Sequence, residues 1–307
     1  MYLKAISLNS SRDRSKSEIV DSTGGVLILL GTPLGNLSDL SERAIRTLRD
    51  ADAIAAEDTR RLRVLLSHLH IANKNIFAVD ANKEELLSAK VLQLVRSGNS
   101  VVYTTDAGMP GISDPGAKLV RTVSRAGLPI DAIPGPSAPI LAASLSGLCE
   151  TGFSFLGFLP VKSGARRKVL LSMAEGSLAV IAFESPNRIG SLLADAVDIY
   201  GEDHPVFVGR ELTKIHQELF YGTVGDASVH FGSTSQRGEF VVVFGVARHE
   251  GASSGGLQIL EKVIAALGTG TGSTRLLAEE LAELSGVGKN QVYNMLVAAQ
   301  RKAGQSG

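Results

Sequence analysis

Across 307 residues there is a single cysteine, Cys149, so neither an internal disulfide nor a thiolate metal cage can form, as suits a reducing cytosol. The six histidines are scattered, and His68 and His70 stand two apart, which turns them to different faces of a helix; no metal site is expected. Net charge is also lacking: Lys+Arg 31 against Asp+Glu 31 gives no overall field toward nucleic acid or an anionic membrane, so any basic surface must be local. The longest apolar runs, such as Val26–Leu30 and Val241–Val246, fall far short of the roughly 20 residues that span a bilayer. The first two dozen residues, rich in serine and alternating charge, carry no signal-peptide core. A soluble, cytoplasmic protein with no membrane partner is expected.

What is present is ordinary globular composition, 44% hydrophobic and 20% charged, in a length that suggests two domains and a small appendage. Residues 1–24 read as a mobile tail. From Val26 short β-rich runs alternate with amphipathic stretches, the pattern of parallel strands joined by crossover helices. Residues 25–134 predict strands at Val26–Leu30, Ala53–Ala56, Ile76–Val79, Ser100–Thr105 and Ile130–Ile133, with helices at Asp39–Asp50, Arg61–His68, Glu84–Arg96 and Pro115–Ala126. Residues 135–248 predict helix Pro139–Ser146, strand Phe153–Phe158, a basic helix from Arg166, strand Leu178–Phe183, helix Arg188–Tyr200 and strand Val206–Val208. They close with two strands, Leu219–Thr223 and Glu239–Val246, spaced as antiparallel neighbours. The fold class is therefore α/β, in two unequal domains. A linker at 249–256 leads to three short helices within 257–303: Leu257–Leu267, Thr274–Leu284 capped by Ser273, and Asn290–Arg301. The Ser285–Gly288 turn suits a helix-turn-helix as well as a plain three-helix module, and balanced charges there argue against strong nonspecific DNA binding.

Several strand ends carry groups that suit chemistry. Gly31–Asp39 is a glycine turn entering a helix, able to bring backbone N–H groups to a ligand or simply to connect strand and helix; Pro33 and the glycine spacing exclude a dinucleotide fingerprint. Ala56–Arg60 sets Glu57 and Asp58 beside Arg60, as ribose or proton acceptors or as a helix cap with an ion pair. Thr105–Gly116 holds three glycines and two prolines, a fixed path that suits a ligand cradle more than a connection. Glu184 with Arg188, and Arg210 with Lys214, flank later helix starts or turns. Between Gly157 and Lys168 four bases, Lys162, Arg166, Arg167 and Lys168, occur without an acid, which suits phosphate contacts or a solvated face.

Taken in order, the stretches GTPLGNLSDL, AEDTR, DAGMPGISDPG, PGPSA, GFLP, ESPNR, RELTK and RGEFVVVFG resemble the tetrapyrrole methylase superfamily. Within it they are most similar to the branch that methylates a cytidine 2′-hydroxyl of small-subunit ribosomal RNA. The resemblance covers about Gly25 to Val246, and the terminal helices are similar to that branch's helical domain. It implies two unequal α/β domains with S-adenosylmethionine folded into their cleft, and a homodimer. The cofactor would lie against Pro33, against Asp106, Ala107, Gly108, Gly111, Ile112 and Ser113, and against Pro134, Ser137 and Ala138. Two departures stand out: Asn187 replaces a common histidine, and Val79–Asn82 replaces a usual His-Asn-Glu stretch.

Methyl transfer to a ribose hydroxyl needs positioning and help with the departing proton. That assigns Glu57, Asp58 or Glu184 to accept the proton or orient the hydroxyl, and Arg60 and Arg188 to position phosphate or ribose. The RNA partner, 16S rRNA within the assembled small subunit, would meet Lys162, Arg166, Arg167 and Lys168, with Arg210, Lys214 and Arg237 as further contacts. Cytosine C5 chemistry would need a cysteine nucleophile, and Cys149 lacks the expected preceding proline. Two rival readings are a methylase for a corrin-type tetrapyrrole or another superfamily acceptor, and a nucleic-acid-binding regulator using Asn290–Arg301. Removing the residues after Gly251 is expected to weaken RNA binding more than S-adenosylmethionine binding, as titration of both ligands would read. Equal loss of both in a folded truncation would refute that division of labour.

Overall fold

The computed structural model describes residues 24–78, 84–174, 176–232, 237–246, 274–285 and 292–297. The tail at 1–23, Val79–Asn82, the linker at 249–256, the helix expected at Leu257–Leu267 and the Ser273 cap lie outside the described residues. The chain forms two compact units, Met1–Val246 and Ala247–Gly307.

In the first unit, β1 (Val26–Leu30), β2 (Ala53–Ala56), β3 (Asn75–Ala78), β4 (Ser100–Thr104) and β5 (Ile130–Ile133) form a parallel sheet in the order β3-β2-β4-β1-β5. Parallel strands covered on both faces need apolar side chains at odd and even positions alike, which is why VLILL reads as a continuous run. Val26, Ile28 and Leu30 pack with α1 (Glu42–Asp50) and α2 (Thr59–His68) on one face. Leu27, with Ala53, Ala55, Val101 and Tyr103, packs on the other with α3 (Glu84–Arg96) and α4 (Ala117–Arg125). Ser41 starts α1 by accepting a hydrogen bond from the Ala44 N–H at 3.1 Å, and a 3-10 turn at Leu37–Asp39 occupies the expected beginning of that helix. The chain leaves β1 toward one face and the adjacent β4 toward the other, so a crevice opens at their carboxyl ends.

The second sheet has the order β6-β7-β10-β8-β9. Its strands are β6 (Phe153–Phe158), β7 (Ala179–Glu184), β8 (Pro205–Arg210), β9 (Glu218–Thr223) and β10 (Phe240–Phe244). β6 and β7 are parallel, whereas β10 runs antiparallel to both β7 and β8. Phe240 consequently pairs with Glu184 on one side and Arg210 on the other, bringing three separate segments to one sheet edge. α6 (Ser163–Ala174), α7 (Ile189–Tyr200) and α8 (Val224–Gly232) cover one face, and α5 (Ala138–Ser146) covers the other through Ala142. α8 is a helix that the sequence pattern did not predict, and α6 begins at Ser163, three residues before the expected start. Among the described residues no helix is long and apolar enough to cross a membrane.

The second unit has α9 (Thr274–Ser285) and a helical stretch at 292–297; Ala278, Val292 and Leu296 form its small core.

The first sheet's geometry rests on one close backbone approach. A Cβ built on Gly135 would lie 2.6–2.8 Å from the Cα, C and O of Gly31, with no flexible side chain there to yield. Gly135→Ala is expected to cost about 1–3 kcal/mol and lower the melting temperature by several degrees. Gly164→Ala, which meets nothing within 4 Å, should be neutral or stabilising. Equal melting temperatures for the two variants would show that the approach can relax.

Candidate active site

Three loops meet where β1, β4 and β5 end. Thr32 and Gly108 exchange backbone hydrogen bonds of 2.9 and 3.0 Å, and the Thr32 hydroxyl donates to the Thr105 carbonyl at 3.0 Å. These bonds clip the β1 turn to the long β4 loop, while Gly31 rests on Gly135 of the β5 turn. Within the β4 loop the Gly111 N–H donates to Pro115 O at 3.1 Å, and Ser113 holds φ 59°, a left-handed conformation that costs a non-glycine residue energy and clusters at ligand sites.

Facing this edge is the edge of the second sheet, and between them lies a cavity of about 320 Å³. Of the residues expected to hold a cofactor, Ala107, Gly108, Ile112, Ser113, Ser137 and Ala138 line it. Pro33, Asp106, Gly111 and Pro134 do not border it. Pro33 follows the Thr32–Gly108 clip, Asp106 pairs with Arg61 at 3.2 Å, Gly111 braces its own loop, and Pro134 leads into the Gly135 contact. The remaining wall lies mostly within the quoted stretches but was not assigned to the site from the sequence: Leu34, Met109 and Asp114 from the first sheet's loops, Pro139 of α5, and Phe158, Phe183, Ser185, Pro186, Gly209, Leu212 and Gly238–Val241 from the second sheet. Most are apolar residues at strand ends, without a chemical signature of their own. The β10 residues are there because that strand is antiparallel and presents its start, not its end, to this edge.

Electrostatics separate the candidate catalytic groups. Asp58 caps α2 by accepting from the Arg60 N–H at 2.7 Å and binds the Arg60 guanidinium through both oxygens, at 3.1 and 2.7 Å. The hydrogen bonds from Arg60 hold its carboxyl well below the usual carboxylate range, and neither residue borders the cavity. Glu184 does border it, 1% exposed, but its oxygens are engaged by Arg188 at 2.6 and 2.8 Å and by the Ser185 N–H at 2.7 Å. Arg188 also donates to the Leu159 carbonyl at 3.0 Å, tying β6 to the start of α7. Glu57 receives only a long contact, 3.5 Å, from the Asp106 N–H. Asp114 lines the cavity and is pushed up to about 6, first by burial and then by the charges of Glu57 and Asp106. No sequence signal short of its place in the β4 loop marked it.

The basic residues also sort themselves. Lys162, Lys168 and Arg237 are exposed. Arg166 departs from the expected RNA surface: it is 3% exposed, with Nη2 2.6 Å and Nε 2.7 Å from Asp195 Oδ2, so its charge is spent inside the protein. Arg167 pairs with Asp198 and Asp195. Arg210 donates to Glu218 at 2.9 Å and to the Arg237 carbonyl at 2.7 Å. Lys214 lines the cavity, its ammonium between Glu211 at 2.8 Å and Glu239 at 3.0 Å and its stem against Gly35. Asn187 is exposed in the turn before α7. Cys149 packs among apolar residues under α5, and burial pushes its thiol up, which disfavours the nucleophilic thiolate.

The sequence profile of Tetrapyrrole (Corrin/Porphyrin) Methylases matches residues 26–228. A Thermotoga maritima protein called Ribosomal RNA small subunit methyltransferase I is 43% identical over 219 residues, 71% of this chain and 97% of that one. Its namesake in Mycobacterium bovis is 37% identical over 284 residues, 92% of this chain and 98% of that one. The fold resembles that of the methyltransferase CobJ, with a TM-score of 0.56 at 20% identity over 73% of this chain and 95% of that chain. It also resembles uroporphyrin-III C-methyltransferase from Thermus thermophilus complexed with S-adenosyl homocysteine, with a TM-score of 0.51 at 18% identity over 72% of this chain and 97% of that chain.

The raised Asp114 carboxyl has a consequence for stability. Between about pH 4 and 6 the folded chain keeps a proton there that the unfolded chain, titrating near 3.8, has released; stability falls as pH rises through that window and the loss persists above it. Asp114→Asn is therefore expected to raise the melting temperature at about pH 7.5 and to leave it almost unchanged at about pH 3.5. Equal shifts at both values would show that burial of this charge is not the cause.

Proposed function

The chain belongs to the tetrapyrrole (corrin/porphyrin) methylase family and, within it, to the ribosomal RNA small subunit methyltransferase I group; from that premise we propose that it transfers a methyl group from S-adenosylmethionine to the ribose 2′-hydroxyl of a cytidine in the decoding region of 16S rRNA. The observation that carries the reading is near-full-length similarity to enzymes of that name. The acceptor is the assembled small subunit, and the working form is a cytoplasmic homodimer.

The cavity fits this cofactor. Its volume of about 320 Å³ lies in the range of small-molecule sites, roughly 300–1,000 Å³. Leu34, Met109, Phe183 and Leu212 offer apolar surface for an adenosine, Ser113 and Ser137 border it with polar side chains, and Glu184 adds a carboxylate at the wall for a sulfonium. When bound, S-adenosylmethionine supplies an electrophilic methyl carbon. The protein's task is then to hold the acceptor oxygen in line, exclude water and take the proton. Asp58 is ill suited to that task because Arg60 stabilises its charged form. Glu184, fixed by Arg188, serves as an orienting wall. Asp114 takes the proton, its carboxyl raised to about 6 by burial and then by the charges of Glu57 and Asp106, and so more basic than an ordinary carboxylate. Pro33, Asp106, Gly111 and Pro134 contribute by setting the loops, and Lys162, Lys168 and Arg237 meet RNA phosphates.

The test supplies methyl-labelled S-adenosylmethionine and small subunits lacking native methylation, followed by mass spectrometry of the RNA. Label is expected on a decoding-region cytidine ribose, and Asp114→Asn is expected to lower kcat by about 10²–10⁴-fold while cofactor affinity stays within about twofold. Label on a cytosine ring, or transfer to a tetrapyrrole and none to the subunit, would overturn the reading.

A further inference from the structure

An alternating strand should send Phe158 to the same face as Leu156, which packs into the core beneath α6–α8. It does not go there. β6 pairs Phe155 with Ile181, and two residues farther along β7 it is Phe158, not Gly157, that stands opposite Phe183. One extra residue has been inserted, a bulge that turns everything after it to the other face. Gly157 makes it possible with φ 62°, a conformation that glycine adopts freely, and a Cβ there would come within 2.7 Å of Ser113 Oγ.

The outcome is a phenylalanine at the cavity wall, 62% exposed. Its ring lies 5.6 Å from that of Phe183 in a tilted contact, and Phe183 is braced edge-on by Phe155 at 4.9 Å, so a cluster of three rings supports it. Among the described residues no other exposed aromatic ring borders the cavity. The chain then continues through Leu159, whose carbonyl is held by Arg188, to Val161, 74% exposed, and the exposed Lys162. A solvent-facing aromatic at the mouth, followed by an apolar residue and a cation, matches the parts of one unstacked nucleotide: base, sugar edge and phosphate.

We propose that Phe158 is the platform on which the target nucleobase stacks when its ribose enters the site. The inference rests on the RNA-methylating reading above and deepens it. It gives the bulge a purpose: a nucleotide whose ribose enters an enclosed cavity parts from its stacked neighbours, and its base then needs another surface.

The experiment compares the full-length protein with Phe158→Ala, Phe158→Leu and Phe158→Trp in three measurements: affinity for S-adenosylmethionine by calorimetry, affinity for unmethylated small subunits by filter binding, and kcat/KM for those subunits. Because the ring is mostly exposed, all four proteins should melt within a few degrees of one another. For Phe158→Ala, kcat/KM is expected to fall roughly 10- to 100-fold and subunit affinity to weaken, with cofactor affinity within about twofold. Trp should restore most of the loss and Leu little, since stacking needs a π-face. Full activity of the Ala variant, full rescue by Leu, or parallel loss of cofactor affinity would each overturn the platform while leaving the function intact. Failure of the parent protein to methylate the subunit would instead overturn both.

Discussion

The approach of Gly31 to Gly135, with the Thr32–Gly108 clip beside it, is the constraint on which the site depends. It draws together the ends of β1, β4 and β5, three strands whose chains leave toward different helices. Without a tight backbone contact at that point the loops would diverge, because β1 and β4 feed opposite faces of the sheet. The rest of the cradle follows: the β4 loop is pinned at its base, and Ser113 is forced into a conformation it would not choose in isolation.

Charge is arranged on the same logic of commitment. Arg60 commits Asp58, Arg188 commits Glu184, and Asp195 commits Arg166, each through hydrogen-bonded ion pairs. Glu184 and Arg166 are almost fully buried, and removing either partner would strand a desolvated charge; these pairs specify geometry more than they stabilise it. Glu57 and Asp114 have no arginine so close, and Asp114 is raised by its burial first and then by the charges of Glu57 and Asp106.

The inner strands of the first sheet, β1, β2 and β4, were legible because burial on both faces writes nearly continuous apolar runs, the first of them ended by Gly31. The line of loops along the carboxyl edge was legible because glycine and proline mark it. Other features depended on distance in sequence. Arg166 and Asp195 are separated by 29 positions, so four bases in a row read as surface although one is core. α8, with Gly225, Val229 and Gly232, has residues that a helix tolerates rather than favours, and it is held by packing of Val224, Ala227 and Phe231. Ala53–Ala56, a strand in sequence and in structure, shows the converse: alanine is a poor strand former, and only a middle place in the sheet makes it suitable.

The two sheets contribute unlike things to one cavity. The first supplies loops whose glycine contacts let chain meet chain, and on them the side chains of Leu34, Met109, Ser113 and Asp114. The second places its side chains there by strand direction and by a bulge at the end of β6. A parallel β10 would have turned Phe240 and Val241 away from the edge shared by Glu184 and Arg210. An unbulged β6 would have buried Phe158 with Leu156. Both features set what faces the cavity, and the bulge does so at the cost of a disrupted ladder and an exposed aromatic ring.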